Sequence, residues 1–169
     1  METNHLTAAE TLVITPEQLL KHWQGHRALT KKVIEAFPED KLFSYSIGEM
    51  RPFVQLVMEM IDLAEGGISG IANGSWSNPQ QWRHVRGDVP ASKKDLLKLW
   101  DEITARINSL WSTIPIERFQ QTDKAFGIYE GPNFSNLLYF IDNEIHHRGQ
   151  GYVYLRSLGI APPAFWERA

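Results

Sequence analysis

Residues 133–158 read NFSNLLYFIDNEIHHRGQGYVYLRSL, followed by Gly159 and shortly by Pro162-Pro163. Leu137, Leu138, Ile141, Ile145, Tyr152 and Leu155 recur at helical spacing, which predicts a helix from Pro132-Asn133 to Leu158, closed by the glycine. Its middle is polar: Asp142, Asn143, Glu144, His146, His147, Arg148 and Gln150 interrupt an otherwise apolar stripe. At ~100° per residue, Asn143 and His147 lie one turn apart on one flank. Glu144 and Arg148 lie nearer the centre of the stripe, and His146 points away from it. Polar groups that project into a packed bundle are costly unless they are paired or functional.

Three more stretches carry the helical period. Thr15 as N-cap and Pro16 at the first position open a helix that runs to Phe37-Pro38 through Leu19, Leu20, Trp23, Val33 and Ile34. A second runs from Arg51 to Ile71, with Phe53, Leu56, Val57, Met60, Ile61 and Ala64 as its stripe; Gly66-Gly67 weakens its later half. A third starts at Ser92, with Asp95 completing the cap, and continues through Leu96, Leu99, Trp100, Ile103, Ile107 and Trp111 to Thr113. No stretch reads convincingly as a strand. The expected fold is all-α: a four-helix bundle over residues 15–169, preceded by a flexible arm, residues 1–14. The connectors between the second and third helices and between the third and fourth are each near ~20 residues, long enough for crossovers along the bundle. The tail APPAFWERA should fold back on it through Phe165 and Trp166.

The chain has 169 residues, 43% hydrophobic and 22% charged, the composition of an ordinary soluble domain. It contains no Cys, which removes disulfides, iron–sulfur ligation and thiol nucleophiles of its own. A net charge of -3 argues against a nucleic-acid partner and offers no attraction to an anionic membrane surface. No apolar run approaches the ~18 residues of a bilayer span. METNHLTAAETLVIT lacks the pattern of a secretory signal, so the expected location is cytoplasmic.

Chemistry concentrates around the helix of residues 133–158. Glu59, at the edge of the second helix's stripe, could meet His147 together with Asn143 or Glu144. Such an oxygen-rich set suits a divalent cation such as Zn, Ni, Mn or Fe. The same residues with Arg148 could equally form a buried hydrogen-bond and ion-pair network that fixes helix register. His22 and His26 share i, i+4 spacing, but HWQGH has no acidic residue between them and is no zincin motif; a polar flank is the simpler reading. His84, in WRHVRG, sits in the loop 73–90, which either covers a pocket mouth or is a solvated loop anchored by Trp76 and Trp82.

MRPFVQLVMEM (50–60), NEIHHRGQ (143–150) and LGIAPPAFWER (158–168) together resemble the DinB/YfiT-like proteins, over most of the chain. That resemblance implies a four-helix bundle, often dimeric, with a surface-accessible metal held by three His: one from the second helix and two from H-x-x-x-H on the last. Those positions fall here at Glu59, Asn143 and His147, so one His of three is kept. The resemblance implies a metal-dependent hydrolase or thiol transferase acting on a small molecule, with Glu59, Asn143 and His147 around a Zn, Ni or Mn ion and Glu144 as a base. It implies, alternatively, a non-catalytic ligand-binding or dimerising bundle without metal. A homodimer would draw on Trp76, Trp82, Phe165 and Trp166.

Overall fold

The computed structural model describes residues 13–168, so the expected N-terminal arm lies, but for Val13 and Ile14, outside the described residues. Four long helices form the bundle: α1 (Pro16–Ala36), α3 (Phe53–Asn73), α5 (Lys93–Trp111) and α6 (Asn133–Ser157). Two short helices, α2 (Glu39–Ser44) and α4 (Arg83–Arg86), lie in the connectors. The helix starts follow from their caps. Thr15 Oγ1 accepts from Gln18 N–H at 3.2 Å while the Gln18 side chain accepts from Thr15 N–H at 2.9 Å. Ser92 Oγ accepts from Asp95 N–H at 3.1 Å. Gly159, at φ 75°, takes the left-handed turn after α6.

Side-chain pairs fix the helix directions. Gln24 bonds Asn108 and Lys31 bonds Asp101, so α1 and α5 run antiparallel. His26 meets Arg148 and Thr30 meets Glu144, so α1 and α6 are antiparallel too. Glu59 meets His147, while Phe53 lies against Gly151, which sets α3 antiparallel to α6. The order is therefore up-up-down-down. α1 and α3 each pack on α5 and α6, so α1 faces α3, and α5 faces α6, across the bundle's diagonals. The crossovers are residues 37–52 and 112–132. The expected crossover at 74–92 instead joins the antiparallel neighbours α3 and α5. The shorter first connector carries α2, which packs against α3.

The second crossover holds an antiparallel hairpin that the sequence did not reveal, β1 (Thr122–Ala125) and β2 (Tyr129–Pro132). Each strand has four residues, too few for a readable alternation. Phe126 at the turn has φ 55°, an uncommon conformation for a side chain of this size. Its ring is the compensation. It is buried, with Trp76 at 5.2 Å and Trp82 at 4.9 Å between ring centroids.

The core is apolar on all four helices: Trp23 and Val33, Val57 and Ile61, Trp100 and Ile107, Leu137 and Leu155 are all buried. Each such side chain is stabilised by about 1.5–3 kcal/mol. On α6 the buried stripe is rotated from the one expected. Leu138 and Ile145 are 42% and 37% exposed, whereas Phe140 and Tyr154 are buried. Their inward places are taken by Glu144, His147 and Arg148. Among the described residues no helix is long and apolar enough to cross a membrane.

Close contact between α3 and α6 depends on glycine. A Cβ at Gly67 would overlap the Phe140 ring, and one at Gly151 would overlap Phe53. Gly67→Ala should therefore cost about 1–2 kcal/mol despite alanine's better helix propensity, because overpacking outweighs it. Urea unfolding checks this; an unchanged or raised midpoint would refute the close-approach account.

Candidate functional site

Between the two glycine contacts, Glu59 of α3 reaches the polar middle of α6. Glu59 Oε1 lies 3.0 Å from His147 Nε2 and accepts from Asn143 Nδ2 at 3.2 Å. Its other oxygen accepts from Arg51 Nη2 at 2.6 Å. His147 Nδ1 is held by Gln150 Oε1 at 2.8 Å. The carboxylate is half-buried, with 19% of its side chain exposed, and Arg51 stands at the rim with 43% exposed. The site is thus shallow and open at one side. Burial by itself would raise the Glu59 pKa. Hydrogen bonds from His147, Arg51 and Asn143 overcome that and hold it well below the usual carboxylate range. At the rim, burial, then the charges of Tyr129 and Glu59, push the Tyr139 hydroxyl upward.

Glu59, Asn143 and His147 therefore converge from two helices. Glu144 does not join them. It is the next residue round the helix from Asn143, and the ~100° step turns it toward α1. There it accepts from Thr30 Oγ1 at 2.7 Å and pairs with Arg27 at 3.6 Å and Arg148 at 3.9 Å. All four of these residues are buried. Burial, only partly offset by Glu144, lowers the Arg27 pKa to about 10. The single network of Glu59, Glu144, His147 and Arg148 allowed by the sequence is thus two clusters on opposite flanks of α6. His146 is exposed, as its angular position requires.

Two groups at the Glu59 cluster were not singled out from sequence. Arg51 lies just before α3, eight residues from Glu59, and no helical spacing connects them. Gln150 follows His147 by three residues on the same helix, a spacing that could have been read. A third missed residue is Asp62, one turn beyond Glu59. It accepts from Arg83 at 3.0 Å, and from the His84 backbone N–H at 2.9 Å, with His84 Nδ1 also 2.9 Å away. These bonds anchor the loop 73–90 together with Trp76 and Trp82, which pack inward on Phe126. A polar cleft of about 550 Å³ lies beside this anchor, lined by Asp62, Glu65, Arg83 and Arg106 among others.

The donor set decides whether a cation suits the Glu59 cluster. Among the described residues no three His, Asp or Glu side chains converge as metal ligands; this cluster has two, with an amide beside them. Two features are compatible with a cation there. His147 Nε2–H donates to Glu59 Oε1 at 3.0 Å, and a cation seated between these two atoms would take the place of that proton. Asn143 Oδ1 is buried and has no hydrogen-bond partner. Glu59 Oε1 and His147 Nε2, with the Asn143 amide turned so that Oδ1 takes the place of Nδ2, would hold a divalent cation weakly, with Gln150 and Arg51 orienting the ligands from behind.

Two outcomes test these assignments. The depressed Glu59 pKa contributes stability that is present above the unfolded carboxylate value, about 4.3, and lost as pH falls below it. Wild type should thus lose more melting temperature than Glu59→Gln between pH 6 and pH 3, whereas parallel pH profiles would refute the pairing. Glu144→Ala leaves Arg27 and Arg148 buried without their anion and should cost about 3–5 kcal/mol in urea unfolding. A stability near wild type would return Glu144 to consideration as a base.

The DinB family model matches residues 1–169 of the chain. No curated protein matches it. Among solved structures, a DinB-like protein from Bacillus cereus ATCC 10987 is 21% identical, with a TM-score of 0.69, over 88% of this chain and 95% of the other. The DinB-like protein YjoA of Bacillus subtilis is 21% identical with a TM-score of 0.70, over 90% of this chain and 99% of its own. YfiT of Bacillus subtilis, described as a probable metal-dependent hydrolase with an unusual four-helix bundle topology, is 12% identical. Its TM-score is 0.69, over 95% of this chain and 94% of its own. With its whole length matched and the same helical architecture, the chain belongs to the DinB family.

Proposed function

We propose that the chain is a metal-dependent hydrolase of small molecules, with Glu59, Asn143 and His147 holding a divalent cation between α3 and α6. The observation that carries this reading is the convergence of Glu59 Oε1, His147 Nε2 and the Asn143 amide from two helices, with Nε2 3.0 Å from Oε1. The description of YfiT as a probable metal-dependent hydrolase supports it. When bound, the cation would polarise a substrate carbonyl or acidify a water. The chain's own residues do the remaining work. Gln150 fixes the His147 ring so that Nε2 is the ligating nitrogen. Arg51 keeps Glu59 ionised and carries further N–H donors at the open rim, where a substrate oxygen can be oriented. A thiol nucleophile would have to arrive with a cofactor, because the chain has none.

A second reading rests on the Arg51–Glu59 contact of 2.6 Å. A guanidinium already neutralises that carboxylate, and a metal-free pocket would keep the same residues for hydrogen bonding to a neutral ligand. Metal analysis separates the two. Untagged wild-type protein should carry Zn, Ni or Mn, His147→Ala should carry none, and added metal should raise the melting temperature of the wild type alone. Equal metal in both proteins, with no thermal shift, would leave the metal-free reading.

A second copy of the chain is the proposed macromolecular partner. Trp166 is 71% exposed, and Phe134, Leu138 and Val153 leave an apolar edge along α6. Light scattering should give the mass of two chains at micromolar concentration, and a single-chain mass would exclude the dimer.

A further inference from the structure

The flank of α6 opposite the Glu59 cluster carries a second group of polar side chains. Arg148, the neighbour of His147 in sequence, is buried and points to α1. Its Nη2 lies 2.9 Å from His26 Nδ1. Arginine only donates, so Nδ1 is the acceptor and the His26 proton sits on Nε2. That Nε2–H lies 3.2 Å from His22 Nε2, which can accept, and 3.3 Å from Arg168 Nη1, which cannot. His22 takes up the His26 proton, so the Arg168 Nη1 donor meets no acceptor at the ring. Tyr152 adds another donor, a buried hydroxyl without any hydrogen-bond partner.

These groups line one cleft of about 480 Å³ between α1, α6 and the C-terminal tail. His22, His26, Arg148, Arg168, Tyr152 and Phe165 contribute to its wall, and among the described residues no carboxylate side chain lines it. The tail reaches this position because α1 has Gly25 there; a Cβ would come within 3.2 Å of the Arg168 side chain. Glu144, the acid behind the wall, is already occupied by Thr30, Arg27 and Arg148. The field in the cleft is consequently positive. Burial, then Arg148, Arg168 and His22, lowers the His26 pKa to about 3, which agrees with a neutral ring among cations. Two imidazole nitrogens 3.2 Å apart would suit a metal ion elsewhere. Here the guanidinium groups of Arg148 and Arg168 repel one.

We propose that this cleft binds a small oxyanion, a phosphate or carboxylate group carried on an apolar body. The oxyanion would accept from Arg168 and from Tyr152 O–H. The apolar body would lie against Phe165 and the α6 backbone at Gly149, where no side chain intrudes. The proposed metal centre does not use this site, which is built on the other side of α6.

The experiment titrates the full chain, in the presence of a chelator, with inorganic phosphate, phenyl phosphate and benzoate, against chloride at matched ionic strength. Calorimetry and melting temperature are the readouts. Phosphate should stabilise more than chloride, and phenyl phosphate should bind more tightly than phosphate; benzoate tighter than phenyl phosphate would identify the carboxylate as the preferred group. Arg168→Ala and Tyr152→Phe should each weaken binding about tenfold or more, the loss expected for one hydrogen bond to a charged group. Both should fold, since the hydroxyl has no partner and Arg168 lies in the tail; circular dichroism checks this. Glu59→Gln should bind unchanged, so the result does not depend on the metal centre. Stabilisation no greater than by chloride, undiminished binding by the two variants, or loss of binding in Glu59→Gln would each overturn the proposal.

Discussion

The distance between α3 and α6 is the constraint on which the candidate chemistry depends. Glycines at 67 and 151 let an aromatic ring of the facing helix lie directly on the backbone, above and below the level of Glu59. At that separation a glutamate side chain on one helix can touch an imidazole and an amide on the other. A methyl group at either glycine would push the helices apart, and a displacement of 1 Å would replace the 3.0 Å contact by a gap too wide for a hydrogen bond. Packing of two apolar rings thus sets the geometry of a polar site that neither ring touches chemically.

α6 also separates two kinds of charge. Asn143 and His147 face α3, where Glu59 supplies the negative group. Glu144 and Arg148, one residue further round, face α1, where Arg27, His26 and Thr30 surround them. On the first flank the charges of Glu59 and Arg51 cancel at a half-exposed rim. On the second, Arg27 and Arg148 share the single anion Glu144, and Arg168 adds a further positive charge near the surface. That imbalance is tolerable because the outer part of the group opens into a cleft. A buried excess of positive charge with no opening would be far more costly.

Much of this was legible in the sequence, for reasons that differ between elements. Thr15, Pro16, Ser92 and Gly159 mark helix ends by local chemistry that tertiary contacts do not override. The i, i+4 relation of Asn143 and His147, and the inward position of Glu144 and Arg148, follow from the helix period alone. The period was less reliable for the apolar stripe of α6, since Leu138 and Ile145 occupy the outer face while polar residues take the inner one. The hairpin around Phe126 was too short to show alternation, and its turn depends on a ring held by Trp76 and Trp82 from a distant loop. Arg51, Asp62 and Arg168 join their clusters through contacts across the fold, and no spacing along the chain announces such partners.

The substitution pattern at the Glu59 cluster has an electrostatic logic of its own. The family resemblance implies three neutral imidazoles around a divalent ion, a site of net charge two. Glutamate, asparagine and histidine in those places lower that charge by one. Arg51, on the free oxygen of Glu59, restores it. The guanidinium also takes up one carboxylate oxygen, so Glu59 has a single oxygen left to offer as a ligand. A monodentate carboxylate, one imidazole and one amide form a weaker set than three imidazoles, and the amide is the poorest of the three donors. With the proposed ion bound, the arrangement would keep the electrostatic environment of a metal centre while reducing its grip. Occupancy would then depend on the free metal concentration, and without an ion the Arg51–Glu59 pair forms a polar pocket.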